Sequence, residues 1–191
     1  MRKINKKILL LSTIPPCSNY SGGQVLEQLC QFLPKNSLVC FILLDKSLHP
    51  EISKELSWMP MEYFSKPADG WPKLPLYITP ILSFFGEMYH SLFTTRILAK
   101  KVIAYGKKHQ VDCLWVTLQG QTTIRLARKV AQGLGVPLLT EVWDDPEWWL
   151  KDNHIDKISS KLILKNFTKD LKFSEKCATA GWAMANVYQK E

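Results

Sequence analysis

The sequence predicts an α/β fold: a Rossmann-like, doubly wound, mostly parallel sheet in three layers, formed by one domain over residues 1–191. Three observations predict it. Continuous apolar runs of strand length recur along the chain, as strands buried on both faces require. Amphipathic helical segments alternate with those runs, which is the pattern of a sheet covered by crossover helices. The length of 191 residues, with 46% hydrophobic and 22% charged residues, is that of one globular domain.

The first element is a buried strand over residues 7–12 (KILLLS). It follows Arg2, Lys3, Lys6 and Lys7, like the start of a secretory signal. The apolar run is too short for one, however, Pro15 and Pro16 follow it, and no small-x-small cleavage site appears. A turn-rich loop leads to a helix over 23–33, with Val25, Leu29, Phe32 and Leu33 on its apolar face and Glu27, Gln28 and Gln31 opposite. Pro34 and Asn36 end that helix before a second buried strand over 38–44 (LVCFILL).

Regularity breaks over about 46–95, where prolines stand at 50, 60, 67, 72, 75 and 80 and aromatics crowd residues 58–93. A short strand over 61–64 and a helix from near Phe84 to His109 are the regular elements expected there. The remainder reads as an irregular excursion. Its aromatics either shape an acceptor or membrane surface or pack beneath the loop.

Beyond it the alternation resumes. A strand over 111–116 (VDCLWV) precedes a helix over 122–134, with Ile124, Ala127, Ala131 and Leu134 inward and Arg125, Arg128 and Lys129 outward. Gly133 and Gly135 stop it. A strand over 137–142 (PLLTEV), a helix over 155–171, a strand over 176–180 (KCATA) and a final helix over 182–190 complete the domain.

Composition removes several function classes. No apolar run approaches the roughly 20 residues of a membrane-spanning helix. The cysteines (Cys17, Cys30, Cys40, Cys113, Cys177) are odd in number and form no C-x-x-C pair, which points to reduced thiols in the cytoplasm rather than a disulfide framework or zinc site. The histidines show no metal-ligand spacing, so no metal is expected. A net charge of +8 attracts phosphates of some kind. No helix-turn-helix, RRM or KH signature is present, so nucleic acid is not the expected partner. Lys157, Lys161, Lys165 and Lys169 recur four apart on one helical face. They form either a solvated face or an attraction to anionic headgroups.

Two segments could carry chemistry. Ser21-Gly22-Gly23-Gln24 stands directly before a helix, where backbone N–H groups and the helix dipole favour an anion. Neither G-x-G-x-x-G nor a Walker lysine is present, and the same pair could simply make a tight turn. The second segment, Trp143 to Trp149 (WDDPEWW), gathers Asp144, Asp145 and Glu147 beside three indoles. Carboxylates can take a proton or hold sugar hydroxyls, and indole faces suit sugar rings. The competing reading is that Asp144 or Asp145 caps a short helix at Pro146. Both segments follow strands, so they are expected to face each other across one crevice at the C-terminal rim. Asp144 is expected to be the more buried and Asp145 the more ligand-facing.

In this order, KKILLLSTIPPCSNYSGGQVLEQLCQFLP, VDCLWV, GVPLLTEVWDD and KCATAGWAMANVYQKE resemble the N-terminal half of group 1 (family 4) retaining glycosyltransferases, which have the two-domain GT-B fold. Gly22 and Gly23 match the family's Gly-Gly loop, Val111-Asp112 its next strand signal, Gly135 and Pro137 the opening of a later strand, and Asp144 the Asp of a His-Asp pair. Trp143 stands where the family usually has His, and Gly181-Trp182 replaces a Ser-containing pair. The resemblance implies transfer of a sugar from a nucleotide-sugar to a hydroxyl acceptor, with Asp144 and Asp145 in catalysis and Gly22 and Gly23 at the donor phosphates. Trp143, Glu147 and Gln119 fall on the acceptor side, and no cofactor is expected beyond the nucleotide-sugar co-substrate. The expected partners are a C-terminal donor-binding domain, a sugar or lipid-linked acceptor, and an anionic membrane surface. The expected location is the cytoplasm or the inner membrane face, and the chain alone is expected to be inactive. The alternative is a non-catalytic domain of the same fold that docks a membrane or another subunit.

Overall fold

Six strands pair in parallel throughout, in the order β3-β2-β1-β4-β5-β6. They are β1 (Ile8–Ser12), β2 (Leu38–Leu44), β3 (Met61–Ser65), β4 (Cys113–Thr117), β5 (Leu138–Val142) and β6 (Lys176–Thr179). This is a Rossmann-like α/β domain. The computed structural model describes residues 6–75 and 78–188. Leu10 sits opposite Cys40 on one side and Trp115 on the other, and Leu9, Leu10 and Leu11 are wholly buried. A strand covered on both faces has no place for polar alternation, which is why β1 and β2 read as unbroken apolar runs.

Helix α1 (Ser21–Gln31) packs on one face, placing Leu26 and Cys30 against Leu10, Cys40 and Ile42. The opposite face carries the chain from α2 (Ile78–Tyr89) through a π-helical stretch (His90–Thr94) into α3 (Thr95–His109). There α3, α4 (Gln121–Leu134) and α6 (Lys157–Phe173) bury Val102, Ile124, Val130 and Phe167 with Leu9, Leu11 and Phe41 of the strands. The short helices α5 (Pro146–Asp152) and α7 (Trp182–Tyr188) flank the β5–β6 end. Residues 189 and 190, expected to continue the last helix, lie outside the described residues. No helix among the described residues is long and apolar enough to cross a membrane.

Three local expectations need correction. First, α1 begins at Ser21, and its buried edge is Gly23, Leu26 and Cys30, whereas Phe32 is 86% exposed. Its other apolar edge, with Leu29, Phe32 and Leu33, borders a groove of about 410 Å³ over Trp115 and Leu139 rather than a covered core. Second, Arg125 points into the fold and is 8% exposed, because α4 is flanked on both sides by α3 and α6. Third, the excursion is more regular than its prolines suggest. Strand β3 stands where the short strand was expected and completes the sheet edge, but α2 is already formed at Ile78 rather than Phe84. Pro80 falls in the first turn, where the missing N–H removes no helical bond. Residues 76 and 77 lie outside the described residues.

Of the two readings of the excursion's aromatics, surface or packing beneath the loop, several are left at the surface, because α2 faces inward with its polar side. Thr79, Ser83 and Glu87 are buried. Thr79 Oγ1 accepts from the Leu74 amide and donates to the Pro72 carbonyl, both at 2.8 Å. Ser83 Oγ donates to Asp156 Oδ2 at 3.1 Å. Glu87 accepts from Trp71 Nε1 at 2.9 Å and from Arg125 at 2.6 Å. The large apolar side chains of α2, Phe85 and Tyr89 among them, are left facing out.

Candidate functional site

A sheet whose strands all run the same way presents every strand's C-terminal end at one rim, and the crevice there opens where the strand order reverses, between β1 and β4. A cleft of about 490 Å³ lies at that rim. The loop after β1 contributes Thr13, the first turn of α1 contributes Gly22, and the loop after β2 contributes Asp45. Lys66 and Asp69 come from the loop after β3, Gln119 from the loop after β4, and Asp144 and Trp148 from the segment after β5.

Gly22 is required by close approach. A Cβ there would sit 2.5 Å from Cζ3 of Trp143, so the half-buried indole rests directly on the first turn of α1. No side chain caps α1; its N-cap is Tyr20. Ser21 and Gly22 of that first turn line the cleft, and the first amides of an uncapped helix have no intrahelical acceptor, which is an arrangement that can receive an anion. Gly23 does different work. It is buried, and a Cβ on it would meet Cys17 Sγ at 2.2 Å and the Pro15 carbonyl at 3.0 Å. Gly23 thus belongs to the packing beneath the loop, and Gly22 to the cleft wall.

The acidic segment divides in the same way. Asp144 and Asp145 are both exposed, so Asp144 is not the buried one of the pair. Asp145 is the N-cap of α5, with Oδ1 accepting from the Glu147 amide at 2.9 Å and Pro146 in the first helical position. Asp145 and Glu147 border a different depression of about 530 Å³, beside Phe167 and Met184, whereas Asp144 faces Gly22 across the rim cleft. The expected juxtaposition therefore joins Gly22, Trp143 and Asp144, and leaves Asp145 and Glu147 on the far side of α5.

Gln119 is oriented by a bond across the β1–β4 crevice: Thr13 Oγ1 donates to Gln119 Oε1 at 3.3 Å. That bond uses the carbonyl end of a side chain that lines the cleft. Behind it, Thr117 Oγ1 donates to Ser12 Oγ at 2.9 Å, holding the two strand ends together.

Asp45, Lys66, Asp69 and Gly120 are among the cleft residues that escaped the sequence reading. Asp45 follows β2 directly and accepts from the Ser47 amide at 2.9 Å and from Ser47 Oγ at 2.7 Å. Those bonds, the backbone one foremost, hold its carboxyl below the usual range, so it remains an ionised acceptor. Lys66, itself buried, pairs with Asp69, whose carboxyl burial pushes up against the opposing pull of Lys66. Gly120 fits beside Asp69 at φ +90°, with Asp69 Oδ1 only 3.1 Å from where a Cβ would stand. Position was the available signal for Asp45: it is the first charged residue after a buried strand. Nothing local marked Lys66 and Asp69, which sit in a Pro-rich stretch and reach the cleft only because β3 pairs with β2.

No protein-family model, curated protein or solved structure matches this chain. What the cleft can do rests on its own chemistry: helix-end amides and a side-chain amide for an anion or hydroxyl, with Asp45 and Asp144 beside them for hydroxyl groups, while Lys66 is already taken up by Asp69. Among the described residues no cluster of three His, Cys, Asp or Glu side chains could hold a metal ion.

Proposed function

We propose that this domain is the acceptor-side half of a nucleotide-sugar-dependent glycosyltransferase, and that the rim cleft receives the phosphate and sugar groups of its substrates. The observation that carries the reading is the meeting of Gly22, Gln119 and Asp144 in one crevice where the strand order reverses. The first-turn amides at Gly22 would donate to a donor phosphate oxygen, with the α1 dipole adding a favourable field. Gln119 Nε2 would donate to a hydroxyl or phosphate oxygen, and Asp45 and Asp144 would accept from sugar hydroxyls. The Trp148 ring, 62% exposed at the cleft, offers an apolar face to a sugar ring. Between the two acids assigned to catalysis, the geometry favours Asp144, because one oxygen of Asp145 is already engaged as a helix cap. A second domain would supply the grip on the nucleotide and close the cleft to water.

The test is an NMR titration of the chain with UDP- and GDP-sugars, together with a transfer assay. One exposed helix end contributes about 0.3–1 kcal/mol toward an anion, against about 8 kcal/mol for a micromolar complex. The expected outcome is binding weaker than micromolar, with shifts confined to Gly22, Gln119 and Asp144, and no turnover. Micromolar binding or turnover by the chain alone would refute the two-domain reading. Shifts that spare all three residues would refute the site.

A further inference from the structure

Helix α2 is amphipathic in the reverse sense. Its buried positions are Thr79, Ser83 and Glu87, while Ile78, Ile81, Leu82, Phe85, Met88 and Tyr89 are all exposed. The exposed stripe continues through Leu92 and Phe93 in the π-helical stretch to Ile97 of α3. At 1.5 Å per residue, the 78–97 stretch extends the stripe to about 30 Å. The Tyr89 and Phe93 rings lie 5.3 Å apart within it. Beside it, Ile158 and Leu162 of α6 are 59% and 58% exposed. A trough of about 730 Å³ runs between the two helices and is lined by Ile81, Phe85 and Ile158. An apolar surface this continuous on a protein marks a contact with something else.

Its charge identifies the contact. Lys73 and Lys157 stand in the trough wall, Lys161 is exposed beside Leu162 on α6, and Arg96 and Lys100 are exposed where the stripe passes onto α3. The acids nearby are spent: Glu87 is 1% exposed and ion-paired with Arg125, and Asp156 accepts from the Ile158 and Ser159 amides and from Ser83. The face therefore combines large apolar side chains with cations and no exposed carboxylate on the α2 stripe. A second copy of the chain placed on this face by a two-fold axis would bring the same lysines together. We propose that this face docks on an anionic lipid surface, with the α2 stripe lying in the headgroup layer. Phe85, Tyr89 and Phe93 enter the acyl boundary, and Lys73, Lys157, Lys161 and Arg96 meet the phosphates. The helix lies along the bilayer and does not cross it: its inward side is held in the protein by the Thr79, Ser83 and Glu87 bonds. The proposal does not depend on the glycosyl-transfer reading, and either can fail alone.

The test is flotation of the 191-residue chain with vesicles of phosphatidylcholine, alone or mixed with phosphatidylglycerol, at low and high salt. Binding is expected on the mixed vesicles and to weaken with salt. Phe85→Ser combined with Tyr89→Ser, both at exposed positions, should lower the binding about tenfold or more. Lys157→Glu with Lys161→Glu should lower it about tenfold on the mixed vesicles alone. Ile158→Ser with Leu162→Ser tests the facing helix should the α2 variant fail to fold. Phe32→Ser, on the far side of the domain, should change nothing. Equal binding to neutral vesicles, or unchanged binding by the α2 or α6 variants, would overturn the proposal. So would a stable dimer in light scattering that Phe85→Ser with Tyr89→Ser dissociates, since the stripe would then be covered by a second copy.

Discussion

The indole of Trp143 lies so close over Gly22 that a methyl group on that glycine would stand 2.5 Å from its Cζ3. The contact joins the loop after β1 to the segment after β5, which are far apart in sequence and separated by β4 in the sheet. The ring itself packs against the core beside α1 and does not line the cleft, so the contact fixes the first turn of α1 from behind, where Gly22 forms part of the cleft wall. Gly22 is thus required for space at the cleft wall.

Gly22→Ala should therefore cost about 1–3 kcal/mol by overpacking against the ring. The cost should shrink when Trp143→Leu is added, with a coupling of at least about 1 kcal/mol between the two positions. Urea unfolding of the two single variants and the double variant measures it. Additive effects would mean that the glycine is required for another reason.

Arg125 and Glu87 form a buried ion pair at 2.6 Å that ties α4 to α2, with Trp71 Nε1 donating to the same carboxylate. Arg125→Leu leaves a carboxylate that is 1% exposed without its cation and should cost about 3–5 kcal/mol. Adding Glu87→Gln removes the charge while keeping an acceptor for Trp71, and should recover most of that loss. Chemical denaturation at neutral pH distinguishes the two. A double variant no more stable than the single one would show that the pair's charge is not what matters.

Asp170 on α6 is 1% exposed, and burial pushes its carboxyl up to about 7 against the opposing Arg128 and Lys129. Arg128 Nε stands 3.6 Å away. In the unfolded chain an aspartate titrates near 3.9, so at intermediate pH the folded state holds a proton that the unfolded chain has released. Stability should therefore decline as pH rises from about 4 to about 7 and level off above, by on the order of 1–4 kcal/mol from this group. Asp170→Asn should flatten that decline and raise the unfolding midpoint at about pH 8 relative to the parent. An unchanged slope in the variant would assign the pH dependence elsewhere.

The parts of the fold legible in advance are those whose signal is local. KILLLS and LVCFILL read as strands buried on both faces from their length and flanking turn residues, and the Asp-Pro order offered a helix start at Pro146 that Asp145 caps. Helix α4 ends at Gly135, where φ is +70°, as the glycine after an amphipathic run implies. For the cleft, the rim was legible for Gly22 and Asp144, since each stands in a segment that follows a strand. Asp145 and Glu147 were misplaced because α5 turns successive side chains about 100° apart, sending neighbours in sequence into different depressions.

By itself, then, the sequence determined the element types, their parallel alternation and the rim at which the Gly22 loop and the Trp143 segment meet. Those features follow from the period of the apolar pattern and from the direction of the strands, both of which are properties of neighbouring residues. Tertiary structure alone decided which way each amphipathic face turned. Periodicity shows that α2 has two faces, but the inward one is the polar one because Glu87 meets Arg125, Ser83 meets Asp156 and Thr79 meets the Pro72–Leu74 backbone. Buried polar groups must find partners, and the Arg125 and Asp156 partners stand on elements well downstream, so no local pattern could name them. The same long-range pairing brought Lys66 and Asp69 to the cleft and left the apolar side of α2 facing outward.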